Sequence, residues 1–194
     1  MKPLLLFFGL FIFYHLAAQK NGYYVTLEND TTPAFIHLRK DVFGPYSRFG
    51  IQEAARISKD SLAAETVFKP GDIKSFFVKG PMGDYSFYSK PVGENKLRFM
   101  EAVVCTPETS LYSYRTLRLG GRLGASEGIH YTIEKSDSNY LYIFNRNHVK
   151  LKKRLREFYA GNEKILTTIE PLFKQPGFVD RDLLLLFNRI KGLP

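Results

Sequence analysis

Residues 124–128 are the place where the sequence matches a catalytic pattern. They read Gly-Ala-Ser-Glu-Gly, which fits the Gly-x-Ser-x-Gly arrangement of serine hydrolases. That arrangement works because the serine occupies a sharp turn between a strand and a helix. Here the glycine-rich segment 119–128 precedes a β-like run, residues 129–134, and no helical pattern follows it. We therefore predict an exposed loop over 119–128, and keep an exported hydrolase using Ser126 as the alternative function.

Histidines are the second class of residue that could do chemistry. Outside the first 18 residues the chain has His37, His130 and His148, and their spacing matches no helical or strand metal-ligand pattern. His37 and His130 lie in alternating runs and His148 opens a basic segment, where structural or surface roles are typical. A composite histidine site from distant positions stays as an alternative. We predict no catalytic, cofactor-binding or metal-binding residue, no cofactor, and a protein that is not an enzyme.

Cys105 is the one cysteine of the sequence, so no intramolecular disulfide can form. It follows Val103 and Val104 in a strand-like run, which predicts a buried, unreactive thiol. The glycine-rich residues 120–124 lack the Lys-Ser/Thr pair of a phosphate-binding loop. Neither feature indicates a cofactor.

The formal net charge is +9, and the basic excess lies mainly in the C-terminal part, where residues 144–194 hold 11 Lys or Arg and 5 acidic residues. The densest run could contact acidic lipid headgroups, polysaccharide or nucleic acid; it comprises Arg146, Lys150, Lys152, Lys153, Arg154 and Arg156. We favour the solvated face of an amphipathic helix, because Val149, Leu155 and Tyr159 form an inward stripe. Export argues against nucleic acid, and membrane association through this run is not favoured.

Residues 1–18 are typical of a secretory signal peptide. Lys2 precedes an apolar run over residues 3–16, and Ala17-Ala18-Gln19 supplies small residues before a polar one. The run is short for a membrane span, so an uncleaved anchor is the alternative. We expect cleavage after Ala18 and a single domain over residues 19–194, located in the periplasm, on the outer surface or outside the cell.

Two strands around a turn organise the predicted fold. Residues 97–104 and 111–114 alternate and flank a break at 106–109. Further strand-like runs and their turns predict hairpins at 22–28 with 34–39 and at 129–134 with 140–144, and strands at 73–78 and 84–89. Residues 48–57 suit either a strand or a helix. Residues 22–144 are therefore predicted to be mainly β.

The hydrophobic period becomes helical over residues 146–190. The first stripe is Val149, Lys152, Leu155 and Tyr159, joined by Leu151 and Phe158. Asn162 caps a second helix that we expect to end near Glu170, because Pro171 follows. Asp180 caps a third helix over 181–190, whose apolar stripe is Leu183, Leu184, Phe187 and Ile190. We predict an α+β protein, with an N-terminal antiparallel sheet or sandwich and a C-terminal helical cap. An outer-membrane barrel is the alternative fold, and the short predicted strands and the helical tail fit it poorly.

Short motifs along the chain resemble those of a broad group of exported Bacteroidota proteins. They are Gly22-Tyr23-Tyr24-Val25, Asn29-Asp30-Thr31, Ser110-Leu111-Tyr112-Ser113-Tyr114 and Phe158-Tyr159-Ala160-Gly161. The chain departs from the group at Thr32-Pro33-Ala34, where the group has glycine. The resemblance implies export and transfers no catalytic residue. Asp30-Thr31 and Asp60-Ser61 also resemble the sites that Bacteroidota O-glycosylate on exported proteins.

Tyrosine and phenylalanine are abundant and tryptophan is absent. Most aromatic residues lie in predicted strands, where alternation turns some toward a core and others outward. An outward aromatic row would bind a sugar or a protein. We therefore predict a non-catalytic exported or cell-envelope module that binds a protein or glycan partner.

Overall fold

The computed structural model describes residues 20–38, 48–80, 83–93, 96–120, 124–135, 139–143, 148–174 and 180–192. The strands in this part of the chain are β1 Gly22–Val25, β2 Thr31–Ile36, β3 Ala55–Ser58, β4 Thr66–Phe68, β5 Ser75–Gly80, β6 Gly83–Pro91, β7 Leu97–Cys105, β8 Thr109–Gly120, β9 Gly124–Lys135 and β10 Tyr140–Ile143. The helices are α1 Arg48–Glu53, α2 His148–Phe158, α3 Glu163–Phe173 and α4 Asp180–Lys191. The predicted signal peptide lies outside the described residues.

The strands are hydrogen-bonded in the order β10-β9-β8-β7-β6-β5-β1-β2-β3-β4. The pairs β1–β2, β1–β5, β2–β3, β3–β4, β5–β6, β6–β7 and β9–β10 are antiparallel. The predicted α+β class is confirmed at this level, since the structure is mostly antiparallel sheet with helices mainly near the C-terminus. Within the described residues, no helix combines the length and the apolar character needed to cross a bilayer.

The chain divides into two compact units. Unit 1 comprises residues 1–101 and 119–125, and unit 2 comprises residues 102–118 and 126–194. In unit 1, residues of β2, β3, β5, β6 and β7 form a core, to which α1 adds Ile51. Its most buried members include Ile36, Phe76, Val78 and Phe99. The strand period of two leaves the intervening residues on the opposite face of the sheet.

The core of unit 2 joins apolar residues of β8, β9 and β10 with those of α2, α3 and α4. Leu111, Ile133 and Leu155 are fully buried there. The predicted α2 stripe is confirmed at Leu151, Leu155 and Tyr159, whereas Val149 is 79% exposed, so its inclusion was wrong. Helical spacing alone did not fix which edge of the apolar stripe faces the core.

The prediction that the second C-terminal helix ends near Glu170 was also wrong, because this helix, α3, runs through Pro171 to Phe173. Asn162 caps this helix as expected, its side-chain oxygen accepting a hydrogen bond from the Ile165 N–H over 3.1 Å. Ile165 and Ile169 are buried in the core of unit 2. Their packing keeps the last turn helical in spite of the proline, as tertiary contacts commonly override local preference.

Residues 48–58 contain both elements that the sequence left open, α1 and then β3. The two predicted hairpins are confirmed by the pairing of β1 with β2 and of β9 with β10. The predicted loop over 119–128 was wrong for residues 119–120, which belong to β8, and for residues 124–128, which belong to β9. Glycine content suggested a loop there, but strand pairing outweighs weak local propensity.

Candidate functional site

Ser126, the candidate hydrolase nucleophile, lies within β9, and its side chain and that of His148 are outside the described residues. His130 Nε2 is 2.8 Å from Thr116 Oγ1, and its ring stacks on Tyr114 with 5.1 Å between centroids. A serine on a continuing strand lacks the strand-to-helix turn that the nucleophile pattern needs. Among the described residues, no group of His, Cys, Asp and Glu is arranged to hold a metal ion.

Cys105 is exposed, so the prediction of a buried thiol was wrong. It is the last residue of β7, and the Thr106 turn follows it directly. The core contacts of β7 in unit 2 come from Val103 and Val104 instead. Cys105 follows the buried Val104 within the strand, so alternation turns its side chain away from the core.

The basic run on α2 is partly neutralised by acidic neighbours. Lys153 Nζ lies 3.8 Å from a Glu157 oxygen one turn along the helix, and Arg156 Nη2 lies 2.6 Å from Glu170 Oε1 on α3. The hydrogen bond to Arg156 lowers the pKa of Glu170, and the same contact raises the pKa of Arg156. This arrangement is typical of a solvated helix face.

The outer face of unit 1 carries an aromatic row. The strand register places Pro33, Tyr23, Phe77 and Ser86 side by side on β2, β1, β5 and β6. Their neighbours in sequence Ala34, Phe76 and Phe87 are in the core, so the row faces the other way. Tyr23 is 39% exposed and Phe77 is half-buried. We call these four residues the aromatic row.

Tyr23 and Phe77 are stacked, with 5.2 Å between ring centroids and 18° between ring planes. Gly22 allows β1 and β5 to approach, because a Cβ atom there would lie 2.0 Å from the Phe77 carbonyl oxygen. On the far side of Phe77 the register places only the short side chain of Ser86. A flat apolar group can therefore lie against an aromatic ring at this point of the sheet.

A polar cluster lies at the β3 side of the same face. His37 directly follows β2, Ser58 ends β3, Arg56 lies two residues before it, and Glu65 directly precedes β4. His37 Nε2 is 2.7 Å from Ser58 Oγ, and His37 Nδ1 is 3.5 Å from Glu65 Oε1. Arg56 Nη1 is 3.2 Å from the second carboxylate oxygen of Glu65, Oε2. The Phe35 ring meets the His37 ring edge-on at 4.9 Å.

The connections in this cluster match those of a serine–histidine–acid triad, with the serine on Nε2 and the acid on Nδ1. The direction of the hydrogen bond between serine and histidine, however, is the reverse of that in a triad. Ser58 donates its one hydroxyl proton to the carbonyl oxygen of Asp60, so it can only accept a hydrogen bond from His37. The approach of Nδ1 to Glu65, at 3.5 Å, is longer than an ordinary hydrogen bond. In this arrangement Nε2 donates to Ser58 and has no lone pair free to take the serine proton.

A second set of polar contacts, in unit 2, links β8 and β9 to Tyr159, which directly follows α2. The Thr109 hydroxyl donates to the Glu134 carbonyl over 2.9 Å, so the buried Tyr159 hydroxyl donates to Thr109 Oγ1, also over 2.9 Å. Burial raises the pKa of Tyr159 far above its ordinary value. The Lys135 ammonium group lies 4.7 Å from the centre of the Phe158 ring. These contacts stabilise the packing of unit 2 and present no reactive group.

No known protein family matches the chain. A search of characterised proteins and of solved structures also found no match. The functional argument therefore rests on the aromatic row and the polar cluster themselves. Neither was predicted residue by residue, because both depend on strand register.

Proposed function

We propose that the protein is a non-catalytic exported or cell-envelope module that binds a protein or glycan partner through the outer face of unit 1. The observation that carries this proposal is the stacked Tyr23–Phe77 pair on an open sheet face. Exposed aromatic side chains supply large contact areas and lose little conformational freedom on binding. They are also enriched at the centre of binding sites.

Export rests on the sequence of residues 1–19, and the motifs shared with exported Bacteroidota proteins support it. The basic run of α2 is proposed to be a solvated helix face, since Lys153 and Arg156 have acidic partners. The helices of unit 2 are proposed to act as a cap over β8, β9 and β10, as their shared core suggests. In this arrangement unit 1 supplies the binding face.

The binding face is tested by crosslinking and pull-down from native envelope with tagged protein. The Tyr23→Ala variant should lose at least about tenfold of the captured partner, as expected of a central aromatic contact. Leu62→Ala is the control, because Leu62 is 86% exposed and lies outside the aromatic row. Equal capture by both variants would show that the partner does not use this face.

One observation favours a hydrolase as the second candidate, namely the contact order Ser58–His37–Glu65. Nucleophilic attack would require the Ser58 proton to leave the Asp60 carbonyl and pass to His37 Nε2. A fluorophosphonate probe tests this directly, because it modifies activated serines. We expect no labelling; labelling that Ser58→Ala abolishes, or that Ser126→Ala abolishes, would identify a hydrolase and overturn the non-catalytic proposal.

A further inference from the structure

We propose that the outer face of unit 1 binds a neutral pyranose ring of a glycan in a slot above Ser86, with Phe77 as its wall and Asp84 at one end. This inference rests on the proposed function and selects a glycan, not a protein, as the ligand of that face. It assigns the apolar face of the sugar ring to Phe77 and the sugar hydroxyl groups to Asp84.

The slot is formed by the register of β5 and β6. Ser86 lies directly opposite Phe77, and Asp84 and Tyr88 lie two residues before and after Ser86 on the same strand. The intervening Phe87 is in the core of unit 1, so these three residues of β6 point to the outer face. From standard strand geometry, Asp84 and Tyr88 are each about 7 Å from Ser86, and β5 is about 5 Å away. The short serine side chain therefore leaves a gap into which a pyranose ring fits.

Phe77 supplies the apolar wall of the slot. The register places Tyr23 on one side of Phe77 and Ser86 on the other. The Phe77 ring stacks on the Tyr23 ring with 18° between the ring planes, so its second face is directed toward Ser86. Phe77 and Ser86 are both half-buried, which leaves part of this surface open to solvent. The C–H groups on one face of a sugar ring can pack against such an aromatic face.

The polar groups beside the slot are available to a ligand. Within the part of the chain that the structure describes, the side chains of Lys79, Asp84 and Ser86 make no hydrogen bond or ion pair. Lys79 and Asp84 are also exposed. A carboxylate accepts hydrogen bonds from hydroxyl groups, and such charge-assisted bonds are stronger than those between neutral groups. Two neighbouring sugar hydroxyls can therefore donate to the two oxygens of Asp84.

The charges beside the slot favour a neutral ligand. Lys79 lies directly opposite Asp84, so one positive and one negative side chain stand side by side at this end. A charged ligand is attracted by one of the two and repelled by the other, whereas a sugar can donate to Asp84 and accept from Lys79. At the other end, the Lys90 ammonium group lies 5.9 Å from the centre of the Tyr88 ring, in a cation–π contact. A neutral polyhydroxyl ring is therefore the ligand that complements this surface.

The test measures the binding of sugar pentamers to the full mature protein by calorimetry. The neutral chains are cellopentaose, xylopentaose and mannopentaose; the charged chains are the acidic galacturonate pentamer and the basic glucosamine pentamer. We expect at least one neutral chain to bind about threefold or more tightly than either charged chain, because one member of the charge pair opposes each charged ligand.

Two variants of β6 test the slot directly. Asp84→Ala should weaken binding of the best neutral chain about tenfold or more, because it removes a charged acceptor of hydroxyl protons. Glu28→Ala removes the same charge from an exposed position in the turn between β1 and β2, and should change binding less than about twofold. Ser86→Phe fills the slot and should also weaken binding about tenfold or more, although phenylalanine is favourable in a strand.

Lys79→Ala tests the role of the charge pair by a gain of binding. Without Lys79, Asp84 has no positive residue opposite it, so the basic glucosamine pentamer should bind about two- to fivefold more tightly than it does to the wild type. A gain in affinity cannot result from misfolding. This variant therefore keeps the test decisive if Ser86→Phe is unstable.

Two results would overturn the slot and leave the binding face standing. One is tighter binding of a charged pentamer than of every neutral pentamer; the other is the same loss in Asp84→Ala and Glu28→Ala. Absence of binding by all three neutral chains would refute the neutral glycan, while a protein captured in a Tyr23-dependent pull-down would still support the proposed function. Absence of both would refute the binding face itself.

Discussion

Truncating Leu155 should destabilise the protein strongly. Leu155 lies in α2, is fully buried, and belongs to the core that joins the helices of unit 2 to β8, β9 and β10. Replacing a buried leucine by alanine costs about 2–5 kcal/mol, through lost apolar contact and the cavity left behind. In chains of about 150–250 residues each kcal/mol lowers the melting temperature by about 2–4 °C. Leu155→Ala should therefore melt about 4–20 °C below the wild type.

Lys153→Ala on the same helix is the matched control. The Lys153 side chain is 78% exposed, and its contact with Glu157, at 3.8 Å, is an ordinary surface pair. Such pairs stabilise a helix by about 0.3–0.5 kcal/mol, and alanine has the higher helix propensity. We expect a shift below about 2 °C in calorimetry, with the same order in urea unfolding. Equal shifts in the two variants would refute the reasoning, because α2 would then not be packed against the strands.

Three further predictions follow from single groups. Tyr159→Phe should lower the free energy of unfolding by about 0.5–1.5 kcal/mol, because the hydrogen bond to Thr109 is lost. The pKa of Tyr159 is raised in the folded protein, so at a pH above the ordinary tyrosine pKa of 10.0 unfolding releases a proton and stability falls as the pH rises. Urea unfolding at increasing pH should show this fall, and it should be less steep in the variant. Cys105 should react with a thiol reagent in the native protein as readily as after denaturation, and protection by folding would contradict its exposure. Amino-terminal sequencing should begin at or near Gln19, and an intact Met1 in the soluble cytoplasm would contradict export.

Periodicity was sufficient to predict most elements of this fold. The strands β7 and β10 and the helix α2 have strong, sustained hydrophobic patterns, and each is found close to its predicted position. The strands β8 and β9 were predicted only over 111–114 and 129–134, and each extends well beyond those bounds. Local signals failed where tertiary contacts opposed them. Glycines suggested a loop over residues 124–128, which pair as part of β9, and Pro171 suggested a helix end that packing of Ile169 overrides.

The polar cluster illustrates a different limit. His37 and Ser58 are 21 residues apart, and their contact depends on the pairing of Phe35 with Ser58 between β2 and β3. A shift of the register by one residue would turn Ser58 toward the core and away from His37. No spacing rule in the sequence contains that information. The sequence could predict that His37 lies in a strand-like run, but not which side chains meet it.

Contact distances alone would have assigned this cluster to catalysis, but the hydrogen-bond directions argue against it. The Ser58 hydroxyl has one proton and the Asp60 carbonyl accepts it, so His37 Nε2 donates to Ser58 Oγ. A serine nucleophile instead gives its proton to the histidine. Ser58→Ala tests the assignment. We expect a fluorophosphonate probe to label neither the wild type nor Ser58→Ala, whereas labelling of the wild type that the variant loses would identify Ser58 as a nucleophile and refute the reasoning.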